Sequence, residues 1–539
     1  MNLKMPILST LSKLTLILIF ALFFYYIFYY SSSLVILIIE FWNWSRPTIL
    51  FNLIYLLIEI VISFYTIYLI HTLYHALNYE RKRGGAKKKA IIKNKSLFVS
   101  IIMPIKDIDP ELVELSLKSL LNQSFPSNQY EIILSTNSGD QYYLESYRAL
   151  SYKYNTKLVE RNSQLVGFKA GVLNDALKVV KGKYFIVHDA DHLPKSNFIE
   201  SLVMSFETLP SKIADKTAYI QARSTFTCDK AIFQKLTSLL RAQVFEVYYR
   251  AKNRWKTTLF NGFTACFQTK IMKELQGFPI DTLTENNGVS IKVLTKGYYG
   301  LFNSDLLSIG DTPKTFRSQV AQLWRWNNGT ASLLRLYTKP ILTSPNLSKI
   351  QKYDLFCYLL SPLILIFVCI LVPAFFLGSF FLNLPILRPE ILIWGSLFLT
   401  IPGLFVSTEL ALTLTAIGFE ESNYSKLTRL YHLVVFYLLS LTIPFFIVSA
   451  SIKAFIRPQS ALKPNTQWNR RINLGYPLML LLILIISNLI ALIKSFTYNN
   501  DYLIIFGSFF GIYILGAIII LISMKNTTHR PNSIGEIHE

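Results

Sequence analysis

The stretch Lys183-Tyr184-Phe185-Ile186-Val187-His188-Asp189-Ala190-Asp191 decides the fold. Tyr184 to Val187 is a short apolar run that reads as a buried strand, and the chain turns polar where the strand ends. Upstream, Gly167 to Val180 has helical periodicity, and Tyr130 to Leu134 reads as a second strand. Further back, Leu97 to Met103 is a β-rich run closed by Pro104, and Pro110 to Leu121 spaces Leu112, Leu115 and Leu120 as a helix does. Strands and helices that alternate in this way predict a mostly parallel α/β sheet, whose ligands gather at the carboxyl ends of the strands. The residues to watch are those just after each strand.

Asp189 and Asp191 stand at such an end, two carboxylates two residues apart. Close carboxylates repel, so the pair suits a divalent cation, Mg²⁺ or Mn²⁺, which can neutralise a diphosphate leaving group. The plain alternative is a solvated turn before Pro194. Four Cys at wide, irregular spacings offer neither a disulfide framework nor a zinc site, which leaves oxygen and nitrogen as ligands.

Outward from this block the chain becomes membrane-like. Of 539 residues 52% are apolar and 16% charged, with a mean hydropathy of +0.37, which excludes disorder and fits an ordinary cytosolic enzyme poorly. Apolar runs at 14–39 and 47–70 precede the polar block, and runs at 355–387, 391–417, 430–452, 472–493 and 502–524 follow it; each of the first two is long enough to cross a bilayer. The first run is longer than the apolar core of a cleavable signal. Glu59 and Glu409 lie inside apolar runs, where a charge faces protein or a watery path.

Arg81, Lys82, Arg83, Lys87, Lys88, Lys89, Lys93 and Lys95 follow the second run and mark the cytosolic side. Most of the net charge of +22 is then explained by topology and by attraction to membrane lipids, and no nucleic-acid partner is expected. Basic residues flank 430–452 on both sides, so this stretch reads as an interfacial or re-entrant element, with a bend at Pro444. The expected order is two N-terminal crossings in 1–79, a basic linker 80–96, a cytosolic domain 97–335, an interfacial junction 336–353, a membrane region 354–525 and a cytosolic tail 526–539. That gives six crossings, or seven if 430–452 spans, in a multi-pass cell-membrane protein with both termini inside.

Near the end of the polar block stands Gln322-Leu323-Trp324-Arg325-Trp326, preceded by Asp311-Thr312-Pro313 and followed by Gly329. An Arg can pair with phosphate and a Trp face can stack on a sugar ring, although an interfacial helix would also carry such residues. With the segments Val99 to Pro104, Lys169 to Asn174, Asp189 to Asp191, Tyr219 to Arg223, Asn261 to Phe263 and Thr284 to Asn286, in that order, the chain resembles the membrane-embedded processive family 2 glycosyltransferases. These are the cellulose and hyaluronan synthases, together with their lipid-glycosylating relatives.

The resemblance implies an α/β GT-A domain set between N-terminal and C-terminal transmembrane helices. It implies inverting transfer from a nucleotide-sugar donor, a UDP-sugar, to a glycan or lipid acceptor, with Mg²⁺ or Mn²⁺ as cofactor and export of a polysaccharide. Carried over by position, Asp189 and Asp191 would bind the metal. Pro104, Asp107, Asn137, Lys169 and Asp189 would meet the nucleotide, and Thr284, Gln322, Arg325 and Trp326 would hold diphosphate and acceptor. Segment 453–471 would resemble the family's gating loop.

The chain departs from the pattern twice. Ser135-Thr136-Asn137-Ser138 replaces the acidic pair that holds uracil, leaving Asn137 to hydrogen-bond a base. Asn286, beside Glu285, stands where the family has the Asp that serves as general base, and an amide cannot take a proton near neutral pH. For a sugar hydroxyl acceptor Glu285 or Asp281 would replace it; a phosphate acceptor such as polyprenyl phosphate needs no base. Besides polysaccharide synthesis, the sequence leaves open single-sugar transfer to a lipid carrier and a catalytically silent UDP-binding homologue.

Overall fold

The computed structural model describes residues 43–83, 97–162, 167–226, 232–282, 284–313, 315–384, 408–416, 443–456, 475–497 and 510–518, with a few single positions in 35–39 and 427–438. The expected first crossing, most of the basic linker and of 391–442, the segment 457–471 and the tail 526–539 lie outside the described residues.

The polar block folds around an eight-stranded sheet of order β3-β2-β1-β4-β7-β6-β8-β5. The strands are β1 (Val99–Ile105), β2 (Tyr130–Thr136), β3 (Lys157–Glu160), β4 (Tyr184–Val187), β5 (His192–Pro194), β6 (Thr217–Phe226), β7 (Ala265–Gln268) and β8 (Tyr299–Gly310). The half containing β1 to β4 is parallel, as expected. The other half departs from expectation: β7 runs antiparallel to both β4 and β6, and β5 antiparallel to β8, so the sheet is mixed.

Every residue of β1 is buried because the sheet is covered on both faces. Ile101 and Met103 pack with Val113, Leu117 and Leu120 of helix α1 (Pro110–Leu121), while Ile102 packs with Leu173, Ala176 and Leu177 of α2 (Phe168–Val179). Asp109 caps α1 by accepting from the Glu111 backbone N–H at 3.0 Å, with Pro110 in the first turn. Since β2 lies on one side of β1 and β4 on the other, the chain reverses direction across the sheet at β1, and a crevice opens at the carboxyl ends of β1 and β4.

A second core surrounds a 38-residue helix, Arg46–Arg83, which outruns the expected 47–70 and carries the first three basic residues of the linker as further helical turns. Its Arg46–Tyr79 part is the one helix among the described residues long and apolar enough to cross a membrane. Phe51 stacks on Phe375 at 3.7 Å, and Tyr55 on the same ring at 4.4 Å, which fixes this helix against Val372–Leu382. Pro444 does not bend a longer helix within the described residues; it stands at the start of one, Pro444–Ile456, in a position where a missing N–H costs nothing.

Three elements of this core meet at one buried ion pair. Lys252 donates to both oxygens of Asp354 at 2.7 Å, with both side chains out of solvent, and Thr257 and Tyr68 complete the carboxylate's partners at 2.6 and 3.2 Å. Removing one partner of such a pair strands the other charge. Asp354→Ala should therefore destabilise the chain by about 3–5 kcal/mol, read as a lowered thermal transition in detergent. A normal transition would mean that water reaches Lys252.

Candidate functional site

The carboxyl end of β4 delivers Asp189 and Asp191 into the crevice, as the strand's position predicts. Lys169 of α2 donates to both oxygens of Asp189, at 2.7 and 2.8 Å, and to the Gly262 carbonyl at 2.9 Å. Gly262 has φ +98°, a conformation that favours glycine, and a Cβ built on it would stand 3.9 Å from the Asn286 amide nitrogen. Lys169, Asp189, Gly262 and Asn286, spread over more than a hundred positions of sequence, are thus drawn together. Burial pushes the Asp189 carboxyl above its usual range; Lys169 pulls against this, and the charge of Asp191 adds to it.

Asp191 is the more open of the pair, with its side chain 52% exposed. It accepts a hydrogen bond from His192 Nδ1 at 2.8 Å. His192 is buried, tilted over Phe263 at 4.0 Å between ring centres, and His188 bonds its carbonyl at 2.9 Å. Burial opposes ionisation of Asp191, but His192, then Lys169 and Arg241, outweigh it and hold the carboxyl below its usual range. Burial also drives His188 down to about 3, so it is neutral. Sequence reading gave neither histidine a role; His192, adjacent to Asp191, orients it.

Asp107, with φ 52°, lies past the end of β1 and accepts from Ser138 at 2.5 Å, while Asn137 is buried at the end of β2. Pro104 pairs in register with Ser135. Asp107, Asn137 and Ser138, just past the ends of β1 and β2, therefore gather at one edge of the sheet, beside the paired Pro104 and Ser135.

Gln322, Arg325 and Trp326 lie on a long helix, Phe316–Thr343, that runs on past the expected domain end at 335. A capping box between Thr315 and Ser318 starts it. Arg335 on this helix donates to the Ile456 carbonyl, and Phe316 meets Phe446 edge to face at 5.6 Å, so the helix packs on Pro444–Ile456. Arg325 is exposed and the Trp326 side chain is partly so.

The residue that sequence reading missed is Arg241, on the helix Ile232–Gln243. Its Nη2 donates to Gln322 Oε1 at 2.9 Å, and its guanidinium lies 4.3 Å from the Phe226 ring centre and 5.7 Å from that of Trp326. Burial lowers it to about 10, with Asp191 and Asp311 pulling the other way. Its buried Nε finds no acceptor among the described residues. A half-buried guanidinium with a donor unused among the described residues, in the field of two carboxylates and over two aromatic rings, has the chemistry to pair with an anion.

Thr284 and Glu285 start the helix Glu285–Thr295. The buried Thr284 hydroxyl also has no partner among the described residues, and its Cγ2 would stand 2.1 Å from a Cβ at Gly329 on the long helix. Gly329→Ala should thus push the two helices apart, with a loss of about 1–3 kcal/mol measured as a lower melting temperature. An unchanged melting temperature would mean that the contact is loose.

Among the described residues no group of three or more His, Cys, Asp or Glu could hold a metal by itself. Two carboxylate-bearing residues at a strand end still fit Mg²⁺ or Mn²⁺, since such ions are commonly held by one or two carboxylates plus substrate phosphate and water.

Residues 100–275 match the family model described as glycosyl transferase family 2, and the chain carries a domain of that family, a GT-A-like α/β domain on a mixed sheet. Among curated proteins, glucomannan 4-beta-mannosyltransferase 9 of Arabidopsis thaliana is 25% identical over 61% of this chain and 59% of its own length. The cellulose synthase catalytic subunit (UDP-forming) of Pseudomonas fluorescens is 24% identical over 44% of this chain and 31% of its own. The matches span little more than half of the first relative and under a third of the second. A solved structure, the mannosyltransferase PcManGT from Pyrobaculum calidifontis in complex with GDP-Man and Mn²⁺, is 17% identical with a TM-score of 0.42, covering 74% of this chain and 97% of that one.

Proposed function

We propose that this family 2 domain makes the chain a multi-pass membrane glycosyltransferase with its active site in the cytosol. It transfers a sugar, with inversion, from a UDP-sugar to a growing polysaccharide that leaves through the membrane helices. The reading rests above all on one observation: Arg241 bonds Gln322 and lies over the Trp326 ring, while the charge of Asp191 acts on its guanidinium. Cationic donors and paired carboxylates thereby surround one crevice, an arrangement suited to a sugar diphosphate.

In this mechanism Asn137 and Asp107 meet the base, while Lys169 and Arg241 supply donors to the diphosphate oxygens. Mg²⁺ or Mn²⁺, held by Asp189 and Asp191, would neutralise charge on the departing diphosphate. Trp326 offers a partly exposed ring for the acceptor sugar to stack on. The acceptor oxygen attacks the anomeric carbon opposite the diphosphate, the carbon–oxygen bond to phosphate breaks, and the hydroxyl proton passes to Glu285. Thr284, packed on Gly329, fixes the start of that helix.

Asn286 favours a second reading. With an amide near Gly262, where the family carries its base, an acceptor already ionised needs no proton removed, and a lipid phosphate meets that condition. The test is nucleotide release by the full chain in lipid, with Mg²⁺ or Mn²⁺, over a panel of UDP-sugars plus GDP-mannose, with and without polyprenyl phosphate. A retained, lengthening product supports the polymer, and one organic-extractable species supports the lipid carrier. Nucleotide binding without release under every condition would overturn catalysis and leave a silent binding protein.

A further inference from the structure

We propose that a cavity beside the cytosolic end of the helix Arg46–Arg83 is a second binding site, for a phosphate group, and that it is independent of the transfer reaction. Its volume is about 770 Å³, and His71, His75, Lys216, Arg254, Trp255 and Lys256 contribute to its wall. None of the residues assigned above to donor, acceptor or metal lines it.

The wall is ordered. His71 and His75, one helical turn apart, bond through their Nε2 atoms at 3.0 Å, and each ring centre lies 5.2 Å from that of the buried Trp255. Lys256 ends the helix Arg250–Trp255 in a left-handed conformation, φ 61°, with its ammonium held 4.4 Å from the Tyr299 ring centre. This places a cation at the cavity.

The charge is not compensated from within. Among the described residues no ion pair neutralises Lys216, Arg254 or Lys256. Asp354, close beneath, is already bound by Lys252, Thr257 and Tyr68, and the exposed Asp215 beside Lys216 does not line the cavity. Ser348 and Gln351, the capping box of the 18-residue helix Lys349–Ile366, also line the cavity, which brings a positive helix end to it as well.

Three cations and a helix end exceed what one carboxylate can satisfy; a phosphate, with several acceptor oxygens, matches them. His75 and His71 stand about two and three turns before the Arg81-Lys82-Arg83 end, so with this helix read, as proposed above, as a membrane crossing, the cavity falls where anionic headgroups meet a basic pocket. A headgroup phosphate and a soluble phosphate share the chemistry, and the experiment separates them.

Full-length protein in detergent is titrated with phosphatidylglycerol or phosphatidylcholine and observed by native mass spectrometry, with inorganic phosphate as competitor. Wild type is expected to retain phosphatidylglycerol over phosphatidylcholine. Each cation contributes roughly fivefold, so the triple variant Lys216→Ala, Arg254→Ala, Lys256→Ala should lose on the order of 100-fold. The milder Arg254→Lys, Lys256→Arg pair keeps the charge and should keep binding, which guards against misfolding of the triple. Displacement by millimolar inorganic phosphate would assign the site to soluble phosphate, and resistance to it would assign a lipid; either supports a phosphate site. Equal retention of the two lipids without competition by phosphate, or undiminished retention of phosphatidylglycerol by the triple variant, would overturn it.

Discussion

Asp191→Ala in the full chain should reduce nucleotide release by roughly a thousandfold or more, since a lost metal contact at a departing diphosphate costs several kcal/mol of barrier. The size of the effect follows from where the carboxylate stands. Its side chain is half exposed in the crevice and kept ionised chiefly by His192, so its charge is available to a ligand and is not spent on the core. The substitution also takes the acceptor from the buried His192 Nδ1, so stability should fall by about 1–3 kcal/mol, and release is compared below the variant's melting transition. Chelation should bring wild type down to the variant's rate and leave the variant unchanged. Release that survives in Asp191→Ala, or that a chelator does not touch, would remove the cation from the mechanism and return the Asp189–Asp191 pair to the solvated-turn reading.

Asp189 would be a poorer probe. Both its oxygens are engaged by Lys169, so replacing it also frees a lysine to grip Gly262 alone or to repel its surroundings. A loss of activity there would mix the cation's role with that of the lysine.

Different parts of the molecule were unequally legible in the sequence. Strands β1, β2 and β4 and helices α1 and α2 were readable because each is covered by the sheet or by its own apolar face, and burial writes a periodic pattern. Strand β5 has three residues and β3 is a partly exposed edge of four, too short for any period to emerge. Strand β7 is as apolar as the parallel strands β1, β2 and β4, and a buried strand carries no mark of its direction, so the mixed half of the sheet was invisible. The aspartate pair and the Gln322 to Trp326 signature were legible as local spellings. Arg241 was not: its partner Gln322 is 81 positions away, and nothing near it distinguishes it from the ordinary basic residue of an amphipathic helix.

Arg241→Met should cut kcat/KM for transfer by about 10²–10³, the usual cost of removing one preorganised donor from a site of developing charge. Two separate losses underlie the figure. Gln322 Oε1 loses the donor that holds it at 2.9 Å, and the diphosphate loses a guanidinium with a donor that no described residue engages. Stability should move the other way or stay level. Among the described residues no ion pair holds the half-buried Arg241, and an apolar residue of similar length over Phe226 and Trp326 avoids the desolvation that already lowers its pKa. Arg241→Lys should recover part of the donor affinity as a point charge, but not the bond to Gln322 and the reach to the anion together, because an ammonium lacks the planar fork. The diagnostic pattern is therefore a fall in activity with an unchanged or higher melting temperature, partly restored by lysine. If Arg241→Met instead melts early and keeps its residual kcat/KM near wild type, the arginine is a packing element between two helices and the anion site lies elsewhere in the crevice.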